Sequence, residues 1–167
     1  MKDLSKKIEM AANAGILVTS LIFATVLIKD HFVAHQNAGP SGVRVGATLS
    51  VPAVNWSASR RSLVLALREG CRYCADSAPF YRRLIANDVL KRDGVRVLAI
   101  LPQDVAESRK YLAQLGLDRS DVRQEALPQV GVFGTPTVIL VDDHGVVLHV
   151  WKGLLPPERE TEVLATL

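Results

Sequence analysis

The stretch Leu63-Val64-Leu65-Ala66-Leu67, followed by Arg68-Glu69-Gly70 and Cys71-Arg72-Tyr73-Cys74, limits most strongly what this chain can fold into. Five consecutive apolar residues read as a strand covered on both faces. Gly70 breaks the run, and Tyr73, Ser77, Phe80, Tyr81, Leu84 and Ile85 then share one broad helical face. Cys71 and Cys74 are the only cysteines in the chain, and they stand where the helix begins. Free backbone N–H groups and the positive end of the helix dipole favour a thiolate at that place. A thiolate is the nucleophile of thiol–disulfide exchange, and a second Cys about one turn on can resolve the mixed disulfide. The spacing alone also fits half of a zinc site or two small core residues. Zinc needs about two further N or S ligands, and His31, His35, His144 and His149 form no ligand-like cluster in the sequence.

The 167 residues suit one domain of ordinary size with an appendage. A net charge of +3, with no Lys/Arg run interleaved with aromatics, does not imply nucleic acid. Residues 10–28 contain no charged side chain and lie between Glu9 and Lys29. As a helix they span roughly 29 Å, close to the hydrocarbon thickness of a bilayer. The apolar run is long for a cleaved signal peptide and no good cleavage site follows it, so an uncleaved transmembrane anchor is expected. Lys2, Lys6 and Lys7 precede the anchor and Lys29 alone directly follows it, which places residues 1–9 in the cytoplasm and the rest outside. Residues 29–46, with Gly39-Pro40-Ser41-Gly42, read as a tether, and 47–167 as the globular domain. His31 and His35 are expected to be solvated or interfacial. Outside the cytoplasm a disulfide between Cys71 and Cys74 is expected, and so small a ring gains little loop-closure entropy as a structural staple.

Within the domain, 43–56 reads as a loop or short edge hairpin and 63–67 as the first central strand. A helix is expected from Cys71 to about Asn87, bent near Pro79. A strand at 95–101, a helix from an Asp104 cap to Gly116, a hairpin over 138–150 and a short last helix over 158–167 follow. Strand, helix, strand, helix in this order implies parallel strands with right-handed crossovers. His144 in the hairpin turn and His149 on an edge strand are expected to face solvent.

These landmarks together resemble the thioredoxin fold, a central mixed sheet flanked by helices. The Cys-x-x-Cys pair begins a helix after a buried strand, and Pro79 lies five residues beyond Cys74. Gly134-Thr135-Pro136-Thr137 resembles the loop whose proline is cis in that family. With the anchor, the chain is similar to the TlpA/ResA-like membrane-tethered thiol–disulfide oxidoreductases. The resemblance implies that Cys71 attacks, Cys74 resolves, and Thr135 with Pro136 shapes the substrate groove. Arg72 reads either as a solvated surface cation or as a charge that favours the thiolate and raises the reduction potential above that of thioredoxin. Tyr73 is expected to pack over the site or line the partner surface. The implied partners are protein thiols and disulfides and a redox protein that recharges the pair, met at the outer side of the cell membrane in a periplasmic domain, with no bound cofactor or metal.

Three departures from the family stand out. Gly70 replaces the usual Trp, Leu65 the buried Asp of thioredoxin, and Ser77 the Glu of ResA-like proteins. The carboxylates that could relay a proton near the resolving Cys are therefore missing, and Glu69 is the nearby candidate substitute. A peroxiredoxin-like peroxidase would need P-x-x-x-T-x-x-C, which the residues before Cys71 lack. Metal- or heme-handling modules of this fold use C-x-x-x-C and a distal His, one residue wider than here. A docking domain with a vestigial disulfide completes the alternatives.

Overall fold

The structure, a computed structural model, describes residues 42–167. The expected anchor at 10–28, with His31, His35 and most of the tether, lies outside the described residues. Among the described residues no helix is long and apolar enough to cross a membrane.

Strand β1 (Arg61–Ala66) is the centre of the sheet. It pairs in parallel with β2 (Val95–Leu101) on one side and antiparallel with β4 (Thr137–Asp142) on the other. β3 (Asp121–Gln124) adds in parallel beyond β2, and β5 (Val147–Lys152) adds antiparallel beyond β4. The result is a five-stranded mixed sheet in the order β3-β2-β1-β4-β5, the sheet that the resemblance implies.

Side chains alternate along a strand, and β1 therefore feeds two cores. Leu63, Leu65 and Leu67 face the cluster containing Phe80, Tyr81, Leu84, Leu112 and Trp151. Val64 and Ala66 face a second cluster with Leu49, Val51, Leu127 and Val130. Covering both faces explains why the run carries no polar alternation.

The helices follow from their caps. Between β1 and β2 lie α1 (Arg72–Asp76), α2 (Ala78–Ala86) and α3 (Asp88–Arg92). The expected single bent helix is thus divided at Ser77. Pro79 has no N–H for the Ala75 carbonyl, and the Ser77 N–H turns to that carbonyl and to Tyr73 instead. Tyr81 N–H still reaches the Ser77 carbonyl at 3.1 Å, so helical register carries across the break. Helix α4 (Val105–Leu115) starts where Asp104 Oδ1 accepts from the N–H groups of Ala106 and Glu107 at 2.8 and 2.9 Å. Those bonds, that from Glu107 first, hold the Asp104 carboxyl below its ordinary range. The last helix, α5 (Pro157–Thr166), is fixed to β5 by Trp151 Nε1 donating to Glu162 at 3.0 Å. An ion pair from Arg83 to Glu160 ties it to α2.

Two regions differ in detail from expectation. Residues 43–56 form a loop with one bridge, Thr48 to Val146, rather than a hairpin of their own. β3 was not expected, because of its four residues only Val122 is buried and no apolar run marks it. Val43, within the expected tether, donates its N–H to Gly131 at 2.9 Å and packs half-buried against the second core.

Leu65 is fully buried in the central strand. Leu65→Ala should lower the unfolding free energy by about 3 kcal/mol in a denaturant titration. A loss below about 1 kcal/mol would contradict the packing described.

Candidate active site

β1 ends at the C-terminal edge of the parallel pair, where Leu67 N–H still reaches the Ile100 carbonyl at 3.0 Å. The chain then turns through Arg68-Glu69-Gly70. Gly70 has φ of 74°, a left-handed conformation in which a bulky residue is strained. The turn is closed by Cys71 N–H to the Arg68 carbonyl at 3.3 Å, and Cys71 becomes the N-cap of α1. Cys71 and Cys74 form a disulfide with Cα atoms 5.2 Å apart.

The two sulfurs have different surroundings. Cys74 is fully buried, whereas Cys71 is partly exposed. Cys71 Sγ accepts the Cys74 backbone N–H at 3.1 Å. Once the disulfide is reduced, that N–H at a helix start is a donor that favours negative charge on Cys71.

The loop before β4 completes the site. Its Thr135–Pro136 bond is cis, and the Thr135 carbonyl oxygen lies 3.5 Å from Cys71 Sγ. Thr137 Oγ1 donates to the Gly134 carbonyl at 2.8 Å, and Gly153 N–H binds the Pro136 carbonyl at 2.7 Å. The loop is therefore held from both sides. Beside it runs a groove of about 420 Å³ lined by Tyr73, Val132, Phe133, Thr135, Lys152 and Gly153, among others. Tyr73 and Phe133 are 57% and 54% exposed, large apolar surfaces at the groove's edge. Tyr73 was expected there from the sequence. Phe133 and Lys152 were not, since only the fold brings these two to the groove beside Tyr73 and Thr135.

Arg72 is placed less favourably for tuning than its sequence position suggests. Its side chain is 88% exposed and lies 3.6 Å from Asp76 at i+4. In water-like dielectric, and with an opposite charge beside it, its field at the sulfurs is weak. Glu69 is also exposed. Leu65 is buried, and Ser77 is buried with its hydroxyl donating to the Tyr73 carbonyl at 2.8 Å. His149 is exposed on β5, the edge strand. His144 is exposed in the hairpin turn, where it forms a compact group with Asp142 and Asp143. Asp142 Oδ1 there accepts the N–H groups of Val146 and His144 at 2.8 and 2.9 Å, the bonding of an ordinary tight turn.

No protein-family model matches the sequence, and no curated protein does. Solved structures do. A protein from Chlorobium tepidum assigned as the thiol:disulfide interchange protein DsbE is 25% identical, with a TM-score of 0.52 over 65% of this chain and 81% of that one. The thioredoxin domain of a thiol-disulfide oxidoreductase from Bacteroides vulgatus aligns with a TM-score of 0.57 at 15% identity, over 75% of this chain and 98% of that one. A secreted Mycobacterium tuberculosis disulfide oxidoreductase, homologous to DsbE of E. coli, aligns with a TM-score of 0.52 at 14% identity, covering 65% and 82%. At such identities the last two likenesses concern the fold.

The difference in burial has a direct chemical consequence. In the reduced protein, iodoacetamide should modify Cys71 while Cys74 stays unmodified until the chain is unfolded, as read by peptide mass. Equal modification of both in the native state would contradict the geometry.

Proposed function

We propose that this chain, a thiol–disulfide oxidoreductase of the thioredoxin fold, exchanges disulfides with protein partners outside the cytoplasm while held to the membrane by residues 10–28. The observation that carries the reading is the asymmetry of the pair: a partly exposed Cys71 capping a helix, and a buried Cys74 behind it.

The mechanism follows from that asymmetry. In the reducing direction the Cys71 thiolate attacks one sulfur of a partner disulfide, and the partner's other sulfur leaves as a thiolate. Cys74 then loses its proton and attacks Cys71 Sγ. The second partner sulfur leaves, and two electrons have passed from the dithiol to the partner. Oxidation of a partner dithiol runs the same steps backward. Thr135 offers its carbonyl beside Cys71 as the place where an extended partner strand aligns. Tyr73 and Phe133 give that strand apolar contact. Arg72 makes at most a small contribution, for the reasons of exposure and pairing given above.

Membrane attachment and outward placement rest on the uncharged stretch at 10–28 and on the lysines before it. A separate redox protein would return the pair to its working state.

One experiment tests both parts. In cells, Cys74→Ser should accumulate mixed disulfides through Cys71, dispersed by dithiothreitol, and Cys71→Ser should not. A membrane-impermeant maleimide should label Cys71 of the Cys74→Ser variant in intact cells after brief reduction. Equal trapping by both variants would refute the division of labour, and labelling only after lysis would refute the outward orientation.

A further inference from the structure

Resolution requires Cys74 to give up a proton from a site with no exposure to water. Leu65 and Ser77, both buried, offer no carboxylate to take it. The structure places other polar groups there. Cys74, Ser77 and Tyr81 stand at i, i+3 and i+7, and the unbroken register across Ser77 puts them on one face. Tyr81 is 1% exposed and Tyr111, on α4, is 7% exposed, both in the same core cluster as Cys74. Neither phenol oxygen has a hydrogen-bond partner among the described residues. Buried hydroxyls without a protein partner are unusual, and where there is room such groups bind ordered water.

We propose that Ser77, Tyr81 and Tyr111 form a buried hydroxyl path that carries the Cys74 proton to the exposed Glu69 carboxylate. The inference rests on the exchange chemistry proposed above. Each hydroxyl, or a water between two of them, takes up one proton as it releases its own. No phenolate forms, and the proton ends on Glu69 and then in solvent. The electron pair left on Cys74 makes the bond to Cys71 Sγ. Ser77 takes part by turning its hydrogen from the Tyr73 carbonyl toward Tyr81.

The electrostatics agree with a path of neutral phenols. Burial, opposed by the Ser77 hydroxyl and reinforced by Tyr111, pushes the Tyr81 phenol far above its ordinary value. Burial, reinforced by the Glu69 charge, also raises Tyr111. Glu69 thus acts on Tyr111, while Arg72 and Asp76 pair with each other on the exposed side of α1.

The test uses the reduced full-length chain in detergent and dithiobis(nitrobenzoate), which releases a coloured thiolate at each step. The first release reports attack by Cys71. The second reports attack by Cys74 on the mixed disulfide. Tyr81→Phe and Tyr111→Phe keep the ring and remove only the hydroxyl. Each should retain the first release and slow the second by about tenfold near neutral pH. The slowing should shrink as the pH rises above the ordinary thiol range, where hydroxide takes the Cys74 proton directly. Glu69→Gln should slow the second release in the same direction. A second release within about twofold of the unmodified chain in both Phe variants would overturn the path. Equal slowing at every pH would also overturn it, because that is the mark of displaced packing. A chain that gives no second release even without substitution would overturn the exchange reading itself, and the path with it.

Discussion

The double pairing of β1 is the constraint on which the rest depends. Its backbone is hydrogen-bonded to β2 on one side and β4 on the other. Leu63 through Leu67 are without exposure. A strand so held cannot shift register, because a one-residue slip would exchange the contents of two apolar cores. Its C-terminal end therefore has a fixed position, and the short turn through Gly70 delivers Cys71 from it. β4 begins beside that same end, with Ala66 opposite Thr137. The Thr135–Pro136 loop immediately before β4 is brought to the sulfur by this pairing. Two segments more than sixty residues apart in sequence thus meet because both abut one strand.

The same arrangement gives the two cysteines different surroundings. A residue at the N-cap of α1 is at the surface of the sheet's edge, whereas one three positions later points back into the core. No special device is needed to make one sulfur reachable and the other protected. The surface charges add little. Arg72 and Asp76 satisfy each other in solvent, and the electrostatic character of the site comes from backbone N–H groups and burial.

Much of this was legible in the chain itself. The apolar run, the Gly70 break and the cysteine spacing mark strand, turn and helix, and Asp104 with Gly116 bounds α4. What escaped reading has physical causes. β3 contributes a single buried side chain and is held by backbone bonds to β2, which leave no trace in hydropathy. Ser77 reads as part of a helix, and only the missing Pro79 N–H explains why the helix divides there. Arg72 lies between the two cysteines in sequence, but its side chain points to water. Phe133 and Lys152 reach the groove beside Thr135, and Tyr111 the core cluster of Cys74, through tertiary packing, and no local spacing announces them.

The central claim is that Cys71 and Cys74 form a working redox couple and not a structural staple. Equilibration of the full-length protein in glutathione buffers of graded ratio tests it most directly, with the dithiol fraction read after acid quenching and alkylation. The account predicts a reversible two-electron transition with a potential above about −300 mV, outside the range of structural disulfides. A disulfide that stays closed across all the buffers would contradict it.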